Sequence, residues 1–287
     1  MKFLLIARRV LSTLTLSLVA TTGLAQTTTA AQYPTRALRL LIAYAPGGAT
    51  DIVGRLLAQE LSLQLGQSVV VENRAGGGTL LATEALRKAA PDGYTLLFGT
   101  NAFVITPLLH DTPTYDPVKD FEPIGLATVG PMVVTGRKDL PTKDAKEFIA
   151  YIKENASKIS MGHAGIGSAS HLCSLMFMDA LDVKLTLVPY KGAAPAINDL
   201  MGGQIDIMCD QTTSSLPAIS GGRIKAYAVA GTQRLAGLPD LPALTEVGVK
   251  GFDISIWFGL YAPKGTPKPI IDKLSAALAA ATERSFS

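Results

Sequence analysis

Cysteine and histidine are scarce in this 287-residue sequence, which contains two cysteines and three histidines. Neither cysteine belongs to the paired two-residue spacing that is typical of a zinc site. His171 and Cys173 are two positions apart, so they would project from different faces of a helix. The pattern therefore argues against a metal centre built from His163, His171, Cys173 and Cys209. We predict no metal and no other cofactor.

The two cysteines leave two interpretations open. A protein that is exported can form a disulfide, but sequence spacing does not establish the geometry that a bridge requires. Buried free cysteines behave as small hydrophobic residues. For Cys173 and Cys209, free buried thiols are the favoured interpretation.

The chain has no excess of positive charge when residues 1–25 are excluded. The chain has 26 Lys and Arg and 23 Asp and Glu, and residues 1–25 contain three basic residues and no acidic ones. Removing these three leaves 23 residues of each sign, without a dense basic cluster. A nucleic-acid-binding protein should retain a basic surface, so we expect no nucleic-acid partner.

Long apolar runs are absent as well. The apolar run Val10–Ala20 is shorter than the roughly 20 residues that a membrane span needs. Basic residues precede this run, and small residues follow it at positions 23 and 25. This layout predicts a secretory signal peptide over residues 1–25 and a periplasmic mature protein. An uncleaved amphipathic helix is the alternative.

Phosphate-binding motifs are incomplete. The sequence contains no Gly-x4-Gly-Lys-Ser/Thr loop. The segment Gly165–Ser170 resembles a dinucleotide fingerprint, but it ends in Ser, and no acidic residue stands at the required offset. A nucleotide cofactor is therefore not predicted.

What the sequence does contain is a regular alternation of strand and helix patterns. Apolar residues recur at helical spacing between Asp51 and Leu65, and short apolar runs bounded by Gly or Pro flank this segment. This alternation predicts an α/β fold with mostly parallel sheets. The predicted strands are 37–43, 68–71, 95–99, 124–129, 132–135, 159–162, 185–188, 205–209, 226–230 and 256–262, and the predicted helices are 51–65, 79–89, 142–155, 168–181, 195–202 and 267–282.

Three of the most glycine-rich loops follow predicted strands, at 46–48, 165–167 and 191–192. Ligands of open α/β sheets bind beyond the carboxyl ends of the strands, so these loops predict a crevice site. Helices that start near Asp51 and Ser168 would present free N–H groups and partial positive charge to an anion. The alternative is that Thr50, Asp51 and Ser168 only cap their helices.

A secreted serine hydrolase is the enzymatic alternative. Ser168, His171 and Asp210 are the residue types of a catalytic triad. However, Ser168 and His171 lie only one helical turn apart, and the strand–elbow–helix motif Gly-x-Ser-x-Gly is missing. A non-enzymatic binding protein is the favoured interpretation.

An ordered set of motifs resembles the Bug receptors, the substrate-binding proteins of tripartite tricarboxylate transporters. The motifs run from the predicted mature N-terminus to the last strand. They are Tyr33-Pro34, Ala45-Pro46-Gly47-Gly48 with Asp51 and Arg55, Val71-Glu72-Asn73-Arg74-Ala75-Gly76, Pro91-Asp92-Gly93-Tyr94-Thr95-Leu96, Gly167-Ser168 with His171, Pro189-Tyr190-Lys191-Gly192, Gly203-Gln204-Ile205-Asp206, and Trp257-Phe258-Gly259-Leu260 with Ala262-Pro263.

The resemblance implies a two-lobed periplasmic-binding-protein fold, type II-like, in which each lobe is a mostly parallel sheet flanked by helices. Two crossover strands near 128–131 and 229–232 would form the hinge. Lobe one would then comprise residues 33–128 and 232–287, and lobe two residues 129–231. Family members usually continue beyond the last predicted helix, so lobe one is expected to be shortened at its C-terminus.

The resemblance also implies a carboxylate ligand held largely by backbone amides, loop hydroxyls and bridging waters. The ligand class stays open between dicarboxylates or tricarboxylates, acidic amino acids and aromatic acids, and Lys191 is the nearby cation. The implied partner is a two-component membrane permease, although a signalling receptor would have the same binding lobes. Without an amphipathic stripe, a monomer is expected. The implicated residues are Pro46, Gly47, Gly48, Thr50, Asp51, Thr100 and Asn101 in lobe one, and Gly165, Gly167, Ser168, His171, Tyr190, Lys191, Gly192 and Asp210 in lobe two.

Overall fold

The computed structural model describes residues 32–285, so the predicted signal peptide lies outside the described residues. Within this range, no helix combines the length and the apolar character that a membrane span requires.

Strands and helices alternate along most of residues 32–285, as the sequence predicts. The strands are β1 Leu38–Ile42, β2 Val69–Asn73, β3 Thr95–Gly99, β4 Phe121–Arg137, β5 Ser160–His163, β6 Thr186–Pro189, β7 Ile207–Gln211, β8 Ile224–Val229 and β9 Ser255–Pro263. The α-helices are α1 Ala49–Leu65, α2 Leu80–Arg87, α3 Asn101–Ile105, α4 Ala145–Asn155, α5 Ala169–Leu181, α6 Ala193–Met201, α7 Thr212–Ser220 and α8 Lys268–Ser285. Short 3₁₀ turns occur at Gly77–Thr79, Thr106–Leu109, Ala156–Lys158 and Leu244–Val247.

Three elements differ from the sequence-based prediction. The two extended segments at 124–129 and 132–135 are one continuous strand, β4. The helix α3 was not predicted because five residues are too few to show a helical period. The helix α7 was also missed, since its residues are mostly Ser and Thr and it contains Pro217, which lacks a backbone donor.

The sheet order is β2-β1-β3-β9-β4-β7-β5-β6, and β8 pairs with the far part of β4. Strands β1, β2 and β3 are parallel, as are β5, β6 and β7, whereas β4 and β9 run antiparallel to their neighbours. The long strand β4 joins these two groups of parallel strands, because it pairs with β9 up to Pro131 and with β7 from Met132 onward. We call β1, β2, β3, β9 and the start of β4 the first half-sheet, and β5 to β8 with the end of β4 the second half-sheet.

Each half-sheet has its own apolar core. In the first, Phe103 packs against Tyr115, Phe121 and Tyr261, with ring centroids 4.3–5.8 Å apart. In the second, buried aliphatic side chains of α6 pack on Met208 and its neighbours. Each fully buried side chain of this size stabilises the fold by roughly 1.5–3 kcal/mol. The two cores hold the strand ends, and therefore the loops that follow them, in place.

The cysteines form a disulfide in this structure, so the expectation of free thiols is wrong. Cys173 on α5 and Cys209 on β7 are both fully buried, with Cα atoms 6.1 Å apart. The chain packs α5 directly over β7, and spacing in sequence gives no sign of that packing. For a separation of 36 residues, the chain-entropy model gives a stabilisation of about 4 kcal/mol. The bridge also removes two of the four candidate metal ligands.

Candidate ligand-binding cleft

The glycine-rich loops that follow β1 and β6 contact each other across the cleft between the two half-sheets. The backbone N–H of Ala45 donates to the carbonyl of Lys191 at 2.9 Å. A Cβ atom added at Gly48 would lie 3.4 Å from Cβ of Ala193, the first residue of α6. Residue 48 is thus in close contact with the start of α6 on the other side of the cleft. These contacts show that the cleft is closed.

Two cavities lie in this cleft and share Tyr44 and Ala164 in their walls. The outer cavity has a volume of about 420 Å³, within the range of small-molecule sites. The inner cavity has a volume of only about 30 Å³, enough for about one water molecule. The outer cavity is lined by Tyr44, Gly76, Gly77, Gly78, Thr79, Thr106, Leu109, His110, Ile166, Gly165, Tyr190 and Lys191 among others. The inner cavity is lined by Tyr44, Gly48, Ala49, Thr50, Met132, Ala164, Ser168, Ala169, Ser170, Ala193, Asp210, Gln211 and Ile256.

Three helices begin at the inner cavity. Their first residues, Ala49 of α1, Ala169 of α5 and Ala193 of α6, all line it. The first turn of a helix has N–H groups without intrahelical partners and carries partial positive charge. Three such ends around one cavity create a site that favours an anion.

Asp51 shapes the loop that precedes α1. Its Oδ2 accepts hydrogen bonds from the N–H of Gly47 and from Nε of Arg55, both at 3.0 Å, and its Oδ1 accepts from Nδ2 of Asn73 at 2.8 Å. Burial raises the pKa of this carboxyl, but the hydrogen bonds from Arg55, Gly47 and Asn73 outweigh burial, and the pKa is lowered overall. Asn73 also donates to the carbonyl of Tyr44. Asp51 therefore holds the loop in shape.

Two residues that line the inner cavity, Asp210 and Gln211, carry oxygen acceptors. Asp210 is 3% exposed, and its Oδ2 accepts from the hydroxyls of Ser214 at 2.5 Å and Ser215 at 2.7 Å. Burial raises the pKa of Asp210, against the effect of these two hydrogen bonds. Beside it, Oε1 of Gln211 is buried and has no hydrogen-bond partner within residues 32–285.

Comparison with known proteins identifies the family. The model of the tripartite tricarboxylate transporter family receptor matches residues 53–285. The chain belongs to this receptor family. It is 45% identical over 246 residues, covering 86% of this chain and 71% of the relative, to a UPF0065 protein encoded in the TAR-I ttuE–ttuC' intergenic region of Agrobacterium vitis.

Two solved structures show the same fold. The periplasmic binding protein BugD is 48% identical with a TM-score of 0.84, covering 87% of this chain and 83% of BugD. MatC from Rhodopseudomonas palustris with bound malate is 40% identical with a TM-score of 0.82, covering 87% of this chain and 85% of MatC. The resemblance to the Bug receptors and the predicted two-lobed binding-protein fold are both confirmed.

Seven of the fifteen predicted site residues of this receptor line the two cavities. Gly48, Thr50, Ser168 and Asp210 line the inner one, and Gly165, Tyr190 and Lys191 line the outer one. The other eight predicted residues lie outside the linings of both cavities. They are Pro46, Gly47, Asp51, Thr100, Asn101, Gly167, His171 and Gly192.

Several of these eight make contacts that shape the cleft. Thr100 shares a 3.2 Å hydrogen bond with the hydroxyl of Tyr44, and burial raises the pKa of Tyr44 to about 12. Asn101 is bonded to the backbone of β9, through Ser255 and Trp257 at 3.2 Å each. Thr100 and Asn101 therefore position Tyr44 and β9, and both of these contribute to the cavity walls.

The receptor's Ser168, His171 and Asp210 are not hydrogen-bonded as a catalytic triad would be. Oγ of Ser168 accepts from the backbone N–H of His171 at 3.1 Å and so caps α5. Nδ1 of His171 accepts from the N–H of Gly167 at 3.3 Å, while Asp210 accepts from serines on α7. Each of the three groups is engaged with a different partner.

Sequence reasoning missed several cavity residues of the receptor. Gln211 directly follows Asp210 at the carboxyl end of β7, so the strand-end rule applied to Asp210 could have included it. Tyr44 and Ala164 follow β1 and β5 in the same way. The segment Gly76–Thr79 contains three consecutive glycines and follows the carboxyl end of β2, so the same rule could have included it. The turn at Thr106 gave no such signal, because it follows the short helix α3.

Proposed function

We propose that this receptor is a periplasmic, non-catalytic protein that captures a small carboxylate in its cleft and delivers it to a two-component membrane permease. The observation that carries the proposal is the convergence of the N-termini of α1, α5 and α6 on the inner cavity. The arrangement favours a carboxylate without a dedicated Arg. The similarity to MatC, which was solved with malate, supports the same ligand chemistry.

We infer that the two lobes are residues 33–128 with 232–287, and residues 129–231. The change of partner along β4, from β9 at Pro131 to β7 at Met132, supports the first boundary. Near the second, the N–H of Ala230 donates to the carbonyl of Met132, and its carbonyl accepts from the N–H of Ile254. The crossings are therefore adjacent, as a hinge requires. We propose that the receptor acts as a monomer.

Closure of the lobes around the ligand completes the proposal. Contacts such as Ala45 to Lys191 exist only while the lobes are together. Because the inner cavity of this closed form holds about one water molecule, a dicarboxylate enters only when the lobes separate and must use the adjoining outer volume. A ligand favours closure only by the amount by which it binds the closed form more tightly than the open form.

A thermal melt of the purified protein with a panel of small carboxylates tests this function. A ligand at about 100 times its Kd should raise the free energy of unfolding by roughly 2.7 kcal/mol, which is a shift of several degrees for a chain of this size. The uncharged amides of the same acids serve as matched controls and should shift nothing. If no dicarboxylate, tricarboxylate, acidic amino acid or aromatic acid moves the melt, the proposed function is wrong.

A further inference from the structure

The side-chain oxygen Oε1 of Gln211 is a buried cleft atom without a hydrogen-bond partner among residues 32–285. Gln211 is the last residue of β7 and is 4% exposed, and it lines the inner cavity next to Asp210. Its Oε1 accepts no hydrogen bond from any group within residues 32–285. Buried side-chain oxygens in folded proteins almost always have a partner, so this atom is suited to a donor that the ligand supplies.

The side chain of Gln211 is held in this position by its surroundings. In the β4–β7 register, Gln211 lies opposite Met132. A Cβ atom added at the nearby Gly130 would collide with Nε2 of Gln211. The amide therefore packs directly on the backbone of β4, in space that only a glycine leaves free.

The inner cavity is lined by both hydrogen-bond donors and acceptors. The helix ends at Ala49, Ala169 and Ala193 offer N–H donors. Asp210 and Gln211 offer side-chain oxygen acceptors. A simple dicarboxylate has only acceptors when it is ionised, so it matches the N–H donors alone. A hydroxyl or ammonium group next to a carboxylate would match the acceptors as well.

We propose that Gln211 is a specificity-determining residue that accepts a hydrogen bond from a hydroxyl or ammonium substituent of the bound carboxylate. The receptor then prefers hydroxy- or amino-carboxylates to the same acids without the substituent. This inference rests on the proposed function, because it refines the ligand class of the same cleft.

Calorimetric titration of the purified protein with malate, aspartate, succinate and adipate tests the inference. We expect malate or aspartate to bind at least tenfold more tightly than succinate, a ratio equivalent to about 1.4 kcal/mol. Gln211→Met keeps the bulk of the side chain but removes the acceptor. In this variant, malate or aspartate should bind no more than about threefold more tightly than succinate, and the affinity for succinate should be nearly unchanged. The exposed Gln204 lies in the same half-sheet region, and Gln204→Met should keep the wild-type ratio.

Gly130→Ala gives a second variant that leaves Gln211 itself intact. It displaces the amide and should also lower the ratio, while circular dichroism reports whether each variant is folded. The inference is overturned if wild-type protein binds succinate as tightly as malate and aspartate, or if Gln211→Met weakens all four ligands equally. The wild-type comparison requires no variant. Failure of every carboxylate to bind would instead overturn the proposed function.

Discussion

Among single residues, His163 shows how burial controls charge in the cleft. Its ring is 2% exposed and lies 4.5 Å from the ring of His171, centroid to centroid. Burial, with a smaller contribution from His171, lowers the pKa of His163 to about 4, and burial also lowers the pKa of His171. Both rings are therefore neutral at pH 7, and the Nδ1 of each accepts a backbone N–H. The cleft obtains its positive potential from helix ends rather than from imidazolium.

The low pKa of His163 predicts that stability falls in mild acid. Between pH 6.5 and about 4 the unfolded chain binds a proton at this residue and the folded protein does not. The free energy of unfolding should therefore decrease as the pH falls through this window, by about 2–3 kcal/mol from His163 alone. Urea unfolding at pH 7 and pH 4.5 measures the loss, and His163→Gln should lose correspondingly less than wild type.

The range between pH 8 and pH 7 provides the control for this measurement. There His163 is mostly neutral in the folded and the unfolded protein, so wild type and His163→Gln should change nearly equally. If His163→Gln and wild type lose the same free energy between pH 7 and pH 4.5, the interpretation of His163 as a buried neutral ring is wrong.

At the scale of elements, Ser168 at the N-terminus of α5 has two roles that experiments can separate. Oγ of Ser168 caps the helix through the N–H of His171, and the same residue lines the inner cavity. Ser168→Ala should reduce the free energy of unfolding by about 1 kcal/mol, as losses of N-caps usually do. It should also weaken carboxylate binding, because the cap holds the helix end that faces the ligand. Chemical denaturation and calorimetry measure the two effects.

A second helix cap isolates the binding effect. Asp144 caps α4, accepting from the N–H groups of Lys146 at 2.8 Å and Glu147 at 2.9 Å, and it lines neither cleft cavity. Asp144→Ala should cost similar stability and leave ligand affinity unchanged. Equal affinities of Ser168→Ala and wild type would show that Ser168 only caps its helix.

Some of these helices and strands could be predicted from the sequence, and others could not. Regular spacing of apolar residues identified α1, and buried apolar runs identified strands such as β3 and β7, because period and burial are local properties. The helix α7 could not be found in this way, since its Ser/Thr-rich sequence has little amphipathic pattern. The disulfide and the contact between the loops at Gly48 and Ala193 depend on how distant elements pack. That packing follows from the whole topology.

The candidate site was predicted in part for the same reason. Strand-end loops at 46–48, 165–167 and 191–192 were identified from their glycines, and they do meet in the cleft. Gln211 was not identified, because a glutamine after a strand is ordinary in sequence. Its role depends on an unpaired oxygen and on Gly130 across the sheet, which only three-dimensional packing reveals.

At the scale of the whole molecule, the proposed function requires an equilibrium between open and closed lobes. Gly48 is suited to test it because its backbone, with φ −85° and ψ 172°, is one that any residue can adopt. A valine there adds methyl groups beyond a Cβ that already contacts Ala193 in the closed form. Gly48→Val should therefore hinder closure without straining either lobe. We expect carboxylate affinity to fall by at least tenfold, because the population of closed protein is reduced and because the valine also takes up space at the inner cavity, which residue 48 lines.

Small-angle scattering and thermal melting distinguish this mechanism from simple damage to the fold. Wild-type protein should become more compact with saturating ligand, and Gly48→Val should not, while the ligand-free melting temperature of the variant stays within a few degrees. Gly237→Val is the matched control, since an added Cβ at Gly237 meets nothing within 4 Å. It should leave both compaction and affinity at wild-type values. If Gly48→Val binds and compacts like wild type, the contact between residue 48 and α6 does not govern closure.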